Sequence, residues 1–201
     1  MANLIIKSSA DNLVLQGSDA SPAITVGATG TTTFAENATL SGTANNLGTA
    51  TAGTLSSGVT FPAGHVLQVL STSHNTEVGT DSTTYVALST PMSVAITPSS
   101  TSNKIWVHFA TSTYQGTANI HHSVTIYRDS TNLGNANWGF GSNHSGAAGH
   151  ISFQGGATLD SPNTTSSVTY QLYHKSSNSS NTGYCNINGA MGSITVMEIK
   201  V

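Results

Sequence analysis

Charge is what this chain has least of. Its 201 residues hold five Lys and Arg and eight Asp and Glu, or 6% charged side chains, against about a quarter in an average soluble domain. The five bases, Lys7, Lys104, Arg128, Lys175 and Lys200, are scattered along the whole length. Gripping a phosphate backbone takes clustered Lys and Arg, so nucleic acid is excluded as a partner. A formal charge of −3 is too small to call for a polycationic one. Cys185 is the only cysteine, which excludes an intrachain disulfide. No apolar run approaches the roughly 18 residues of a membrane span, and no membrane insertion is expected. The opening Met1-Ala-Asn-Leu-Ile-Ile-Lys7 has no basic leader, and its apolar stretch ends after three residues, too short for a secretory core.

What fills the chain instead is Ser, Thr, Gly and Asn, roughly half of all residues. Disordered chains combine low hydrophobicity with high net charge. Here 37% of residues are hydrophobic, and from Gly64 onward they alternate with polar ones. Small hydroxyl side chains suit the exposed faces of strands and the turns between them. The composition predicts an all-β protein of fibrous or shell-like character.

Two regions differ in pattern. Over residues 1–62, short apolar clusters recur at Leu4-Ile5-Ile6, Leu13-Val14-Leu15, Ile24-Thr25-Val26, Phe34, Leu40, Leu47, Leu55 and Val59-Thr60-Phe61. Turn-formers such as Gly17-Ser18-Asp19 separate them. Each cluster is one short strand with too little apolar surface to fold alone. The segment is therefore expected to dock on a particle or intertwine with its own copies, with Leu4, Ile5, Ile6, Leu13, Val14 and Leu15 as attachment residues. Gly42 to Gly58 reads as a low-complexity stalk.

Residues 63–201 carry about eight predicted strands of period two. Met92, Val94 and Ile96 share a face before Pro98; Ile105, Val107 and Phe109 oppose Trp106, His108 and Ala110. Ile120, His122, Val124 and Ile126 share another face, as do Val168, Tyr170, Leu172 and His174. Tyr184 to Met191 and Ser193 to Val201 close the series. No stretch shows a capped helical period, so the prediction is an antiparallel β-sandwich knob, jelly-roll-like.

Four strings carry a resemblance: Gly64-His-Val-Leu-Gln-Val69, Ile96-Thr-Pro-Ser-Ser-Thr-Ser-Asn-Lys-Ile-Trp-Val107, Ile126-Tyr-Arg-Asp129 and Ser193-Ile-Thr-Val-Met-Glu-Ile199. Together they resemble the knobs of short trimeric virion fibre and head-decoration proteins of short-tailed marine and cyanobacterial phages. The second string is the most specific, and the likeness covers roughly the last two-thirds of the chain. The resemblance implies a non-enzymatic homotrimer on the virion surface, with phage capsid or tail adaptor proteins as partners and a host surface glycan as a further one. The long shaft of tail fibres is missing, which favours a head fibre, a decoration protein or an adaptor-mounted knob. Folding in a host's reducing cytoplasm, followed by release at lysis, would reconcile an outward-facing composition with the absence of an export signal and a disulfide framework.

Candidate sites are few. Asn135 to Gly156 mixes Trp138, Phe140, Asn143, His144, His150 and Phe153 with glycine. It is the best binding candidate, as long loops outside regular structure often carry function; Trp138 and Phe140 could equally plug a subunit contact. Lys175 to Gly183 is expected to be a plain hairpin turn. His121 and His122 are adjacent in a strand and must face opposite ways. His122 and His174 are read as hydrogen-bonded residues on apolar faces, and neither a metal nor any other cofactor is expected. No Gly-x-Ser-x-Gly elbow surrounds a serine, and the close acids Glu77 and Asp81 read as a solvated loop, so no catalytic residue is assigned. Two other readings are a glycan-binding lectin-like or glycan-degrading tailspike-type protein, and a bacterial surface adhesin.

Overall fold

The computed structural model describes residues 12–16, 22–27, 32–34, 61–88 and 92–201. The chain divides into two units, Met1–Ser57 and Gly58–Val201. In the first, β1 (Asn12–Gln16), β2 (Pro22–Gly27) and β3 (Thr32–Phe34) form an antiparallel sheet in chain order. Leu13 is paired with Val26 and Leu15 with Ile24, so three of the predicted clusters lie in strands. Leu4, Ile5 and Ile6, and the predicted stalk, lie outside the described residues.

Among its described residues the second unit is all β apart from one 3-10 turn at Ile187–Gly189. Its strands are β4 (Val66–His74), β5 (Val78–Thr80), β6 (Val86–Ala87), β7 (Ser93–Ile96), β8 (Lys104–Gln115), β9 (His121–Arg128), β10 (Thr131–Asn132), β11 (Gly141–His144), β12 (His150–Asp160), β13 (Val168–Ser176), β14 (Gly183–Cys185) and β15 (Gly192–Ile199). Two antiparallel sheets result. In one, β9 pairs β10 and β11 on one edge and β13 on the other, and β13 in turn pairs β6 and β7. In the other, β8 is central: β12 runs the length of one edge, while β15 and β14 share the opposite edge end to end. β4 lies outside β15, and β5 outside β14.

The predicted alternation places the core. Ile105, Val107 and Phe109 of β8 and Ile194 and Val196 of β15 face Val124 and Ile126 of β9 and Tyr170 and Leu172 of β13, all fully buried. Each buried Ile, Val or Phe contributes about 1.5–3 kcal/mol of transfer free energy. Along β8 the inward side chains then turn polar at Thr111, Thr113 and Gln115. The interior thus has an apolar end and a polar end.

Two expectations are corrected. Asn135 to Gly156 is not one long loop. It contains β11 and the start of β12, whose alternating Ile151, Phe153, Ala157 and Leu159 point outward. Gly156 belongs in this strand because a Cβ there would sit 2.9 Å from Phe109 Cε1 and 3.0 Å from Phe140 Cβ. Tyr184 to Met191 is not one strand either; left-handed Asn186 and Asn188 end β14 and form the 3-10 turn.

The motif strings turn out to be junctions of the fold. Glu198, buried at the end of β15, accepts bonds at Oε1 from the Ser99 N–H (2.7 Å), Ser99 Oγ (2.8 Å) and Asn103 Nδ2 (2.7 Å). Its Oε2 accepts from Gln68 Nε2 at 2.7 Å. One carboxylate therefore ties three of the four strings together. Burial raises its pKa, but the bonds from Asn103, Gln68 and Ser99 outweigh this and hold it below the ordinary carboxylate range. The fourth string supplies Arg128, whose Nη1 donates to both oxygens of Asp160 at 2.8 and 2.7 Å, while Tyr170 Oη donates to Oδ2 at 2.7 Å.

Candidate functional site

A cleft of about 260 Å³ opens beside the polar end of the sandwich. Three separate pieces of chain wall it: Thr83 after β5, His121 and Ser123 of β9 with Asn137 and Trp138 of the following turn, and Lys175, Ser176 and Ser177 at the end of β13. The turn is rigid for its length. Asn135 and Gly139 exchange backbone bonds, and Asn135 Oδ1 accepts from the Asn137 and Trp138 N–H groups at 2.8 and 3.0 Å. Trp138 is thereby held out with half its surface exposed, its ring centroid 4.7 Å from that of His121.

His121 stacks in turn on His144, the facing residue of β11, at 4.1 Å and 18°. Trp138, His121 and His144 form one continuous aromatic surface. Burial, and then the neighbouring His144, holds the His121 imidazole below its ordinary pKa. The opposite wall is cationic: Lys175 Nζ lies 4.7 Å above the Tyr85 ring and donates to Ala136 O at 3.4 Å. The Ser177 hydroxyl accepts the His121 backbone N–H at 2.9 Å and locks β9 to the loop after β13. An aromatic face, an amide, hydroxyls and one ammonium group fit a polyhydroxylated ligand: apolar ring against C–H faces, polar groups against hydroxyls.

Only part of the predicted set belongs to this cleft. Trp138 lines it, and His144 extends its aromatic wall. Phe140 points the other way, packing edge-to-face on Phe109 at 5.9 Å as part of its own subunit's core. Asn143 is buried, with Nδ2 donating to Thr113 O and His150 O and Oδ1 bonded to His150 Nδ1 at 2.7 Å. It joins β11 to β8 and β12, and His150 serves that joint. The predicted hairpin Lys175 to Gly183 contributes cleft residues at its start. Thr83, His121, Ser123 and Lys175 were missed as partners of Trp138, since nothing in sequence order brings three distant segments together.

Four of the described acids have structural partners. Asp160 is held by Arg128 and Tyr170, Glu198 by four donors, Asp129 by the Thr169 N–H, and Glu77 by the Asn188 N–H. Burial pushes the Cys185 thiol up to about 12, which removes it as a nucleophile.

No family model matches the chain, and no curated protein does. Among solved structures it is similar to a mutant VP2 protein of infectious bursal disease virus in derived T=1 particles, with 11% identity, a TM-score of 0.38, and coverage of 74% of this chain and 40% of that one. A VP2 subviral particle of the same virus gives 11%, 0.36, 67% and 37%. The virus's Gx strain gives 12%, 0.31, 66% and 33%. The chain spans two fifths or less of the length of these proteins. Likeness at this level lends them no shared site and this chain no activity.

Proposed function

We propose that this chain is a non-enzymatic virion surface protein: its first unit attaches to a phage capsid or tail adaptor, and its sandwich knob adheres to a host surface glycan. The observation that supports adhesion most directly is the cleft, where a half-exposed tryptophan stands on a rigid turn beside His121, Asn137 and Lys175. Among the described residues, Glu77, Asp129, Asp160 and Glu198 are bonded into the fold, which supports a binding role over glycan hydrolysis, a reaction that needs a free carboxylate pair about 5–10 Å apart.

The homotrimer is part of the same proposal. Across the outward face of the β8 sheet, the strand register lines up Val69, Met197, Trp106 and Leu159 in one row over four strands. Phe153 stands 72% exposed on the same face. Such a row, poor in charge, suits burial against identical copies.

Binding of purified protein to host cells tests adhesion. Trp138→Ala should reduce binding at least about fivefold, since stacking and interface anchors contribute more than about 1 kcal/mol each, and leave Tm unchanged. Equal binding by wild type and variant refutes the cleft.

A further inference from the structure

The polar end of the interior holds a cluster that neither adhesion nor assembly uses. His122 on β9, His174 on β13 and Cys185 on β14 are each fully buried, and one ligand atom from each lies within 4.8 Å of the others. His122 Nε2 is 3.2 Å from His174 Nδ1, and Cys185 Sγ is 3.7 Å from the same nitrogen. Metal–nitrogen bonds of about 2.0–2.1 Å and metal–sulfur bonds of about 2.3 Å, at tetrahedral to trigonal angles, separate N from N by about 3.3–3.6 Å and N from S by about 3.6–3.8 Å. Two edges of a ligand triangle are thus in place, and the third closes by a small rotation of the side chains.

As hydrogen-bonding partners alone the three are poorly matched. Two groups converge on the one ring nitrogen His174 Nδ1, while His122 Nδ1 is buried with no partner, a costly state for an imidazole nitrogen. Gln115 Oε1 is a second buried atom without a partner. It belongs to the residue paired across the strands with Gly183, and the His122 ring rests on Gly183, where a Cβ would lie 2.4 Å from Cδ2. Ligation through His122 Nε2 makes Nδ1 the protonated nitrogen, the form in which metal-bound histidines generally hold the ring nitrogen that does not ligate. Burial keeps both imidazoles neutral, with His122 lowered to about 3 and His174 to about 4, the form that ligates.

We propose that His122, His174 and Cys185 form a buried three-coordinate metal site selective for Cu⁺. Two imidazoles and a thiolate are a donor set for soft or borderline ions. Charge then chooses between Cu⁺ and Zn²⁺. Cu⁺ with one thiolate sums to zero, whereas Zn²⁺ leaves a net positive charge in a dry interior, and uncompensated buried charge is expensive. Binding releases one proton, from the Cys185 thiol, to solvent. Because β9 and β13 belong to one sheet and β14 to the other, the ion would pin the two sheets together directly beneath His121 and the cleft. The sequence reads His122 and His174 as hydrogen-bonded residues on apolar faces, and Cys185, 11 residues past His174, has no signature around it to join them.

The test is anaerobic refolding of the full chain with one equivalent of Cu⁺ or Zn²⁺, against a chromophoric Cu⁺ chelator. Wild type should retain one Cu⁺, show thiolate-to-copper absorption and melt higher than the metal-free protein. Cys185→Val, which keeps the packing, should hold Cu⁺ at least about 100-fold more weakly. In wild type itself, Cu⁺ should slow alkylation of Cys185 during refolding, a reading that survives if the variant fails to fold. Equal retention by wild type and Cys185→Val, an alkylation rate indifferent to Cu⁺, or one equivalent of Zn²⁺ held in preference to Cu⁺ would each overturn the proposal.

Discussion

Removing the Glu198 carboxylate should damage the knob more than removing any solvent-exposed group. Four hydrogen bonds reach it, from Ser99 N, Ser99 Oγ, Asn103 Nδ2 and Gln68 Nε2. Glu198→Ala strands the buried Asn103 amide, while Ser99 and Gln68 reach solvent. Bonds to charged groups contribute about 1.5–3 kcal/mol each but are not additive, and a buried donor left unpaired costs about 1–3 kcal/mol. A loss of about 2–4 kcal/mol, at about 3 °C per kcal/mol for a domain of this size, lowers Tm by roughly 6–12 °C. Glu198→Gln should cost less, about 1–2 kcal/mol: its carbonyl can still accept from Ser99 and Asn103, but its amide faces the Gln68 amide donor. The pH dependence has a definite sign. A carboxyl whose native pKa is depressed contributes stability fully above the unfolded value of about 4.3 and loses it as pH falls through the native value. The gap between wild type and Glu198→Gln should therefore be constant at neutral pH and close in acid. Urea unfolding across pH measures it. A Glu198→Ala protein within 1 kcal/mol of wild type, or a gap that widens in acid, would refute the reasoning.

Further expectations concern the other junction and the exposed face. Tyr170→Phe removes the donor to Asp160 Oδ2 while keeping the buried ring, and should cost about 1–3 kcal/mol in urea unfolding. Leu159→Lys, at the end of the apolar row, should convert a trimer to monomers in light scattering without unfolding the knob. A wild-type chain that is monomeric at micromolar concentration would remove the trimer from the account.

How much of this was legible in the sequence follows from the physics of each element. The faces of β8, β9, β13 and β15 could be read because a strand buried on one side must alternate, and Ile105-Val107-Phe109 and Val168-Tyr170-Leu172 do so plainly. β12 has the same period, in Ile151, Phe153, Ala157 and Leu159, but its glycines and its exposed apolar face resemble a loop until Phe109 and Phe140 are seen packing on Gly156. Composition suggests surface recognition or a subunit contact for Phe140 and Asn143; whether an aromatic or an amide points in or out depends on register, which neighbouring glycines conceal. The strings that carry the family resemblance gave no hint of their role. Their serines, asparagine and glutamate meet across about 100 residues of chain, a distance over which sequence pattern carries no information. The cleft and the His122–His174–Cys185 cluster are of the same kind: each is assembled by sheet pairing from segments that separately read as ordinary.

The central claim is that this chain sits on the outside of a virus particle. Electron microscopy of purified particles from the host in which the chain is made, labelled with gold-conjugated antibody raised against the sandwich knob, tests it most directly. The account predicts gold on the particle surface, at head or tail, without any treatment to open the capsid. Particles that carry no label, with the protein recovered instead only from the host cell, would contradict it.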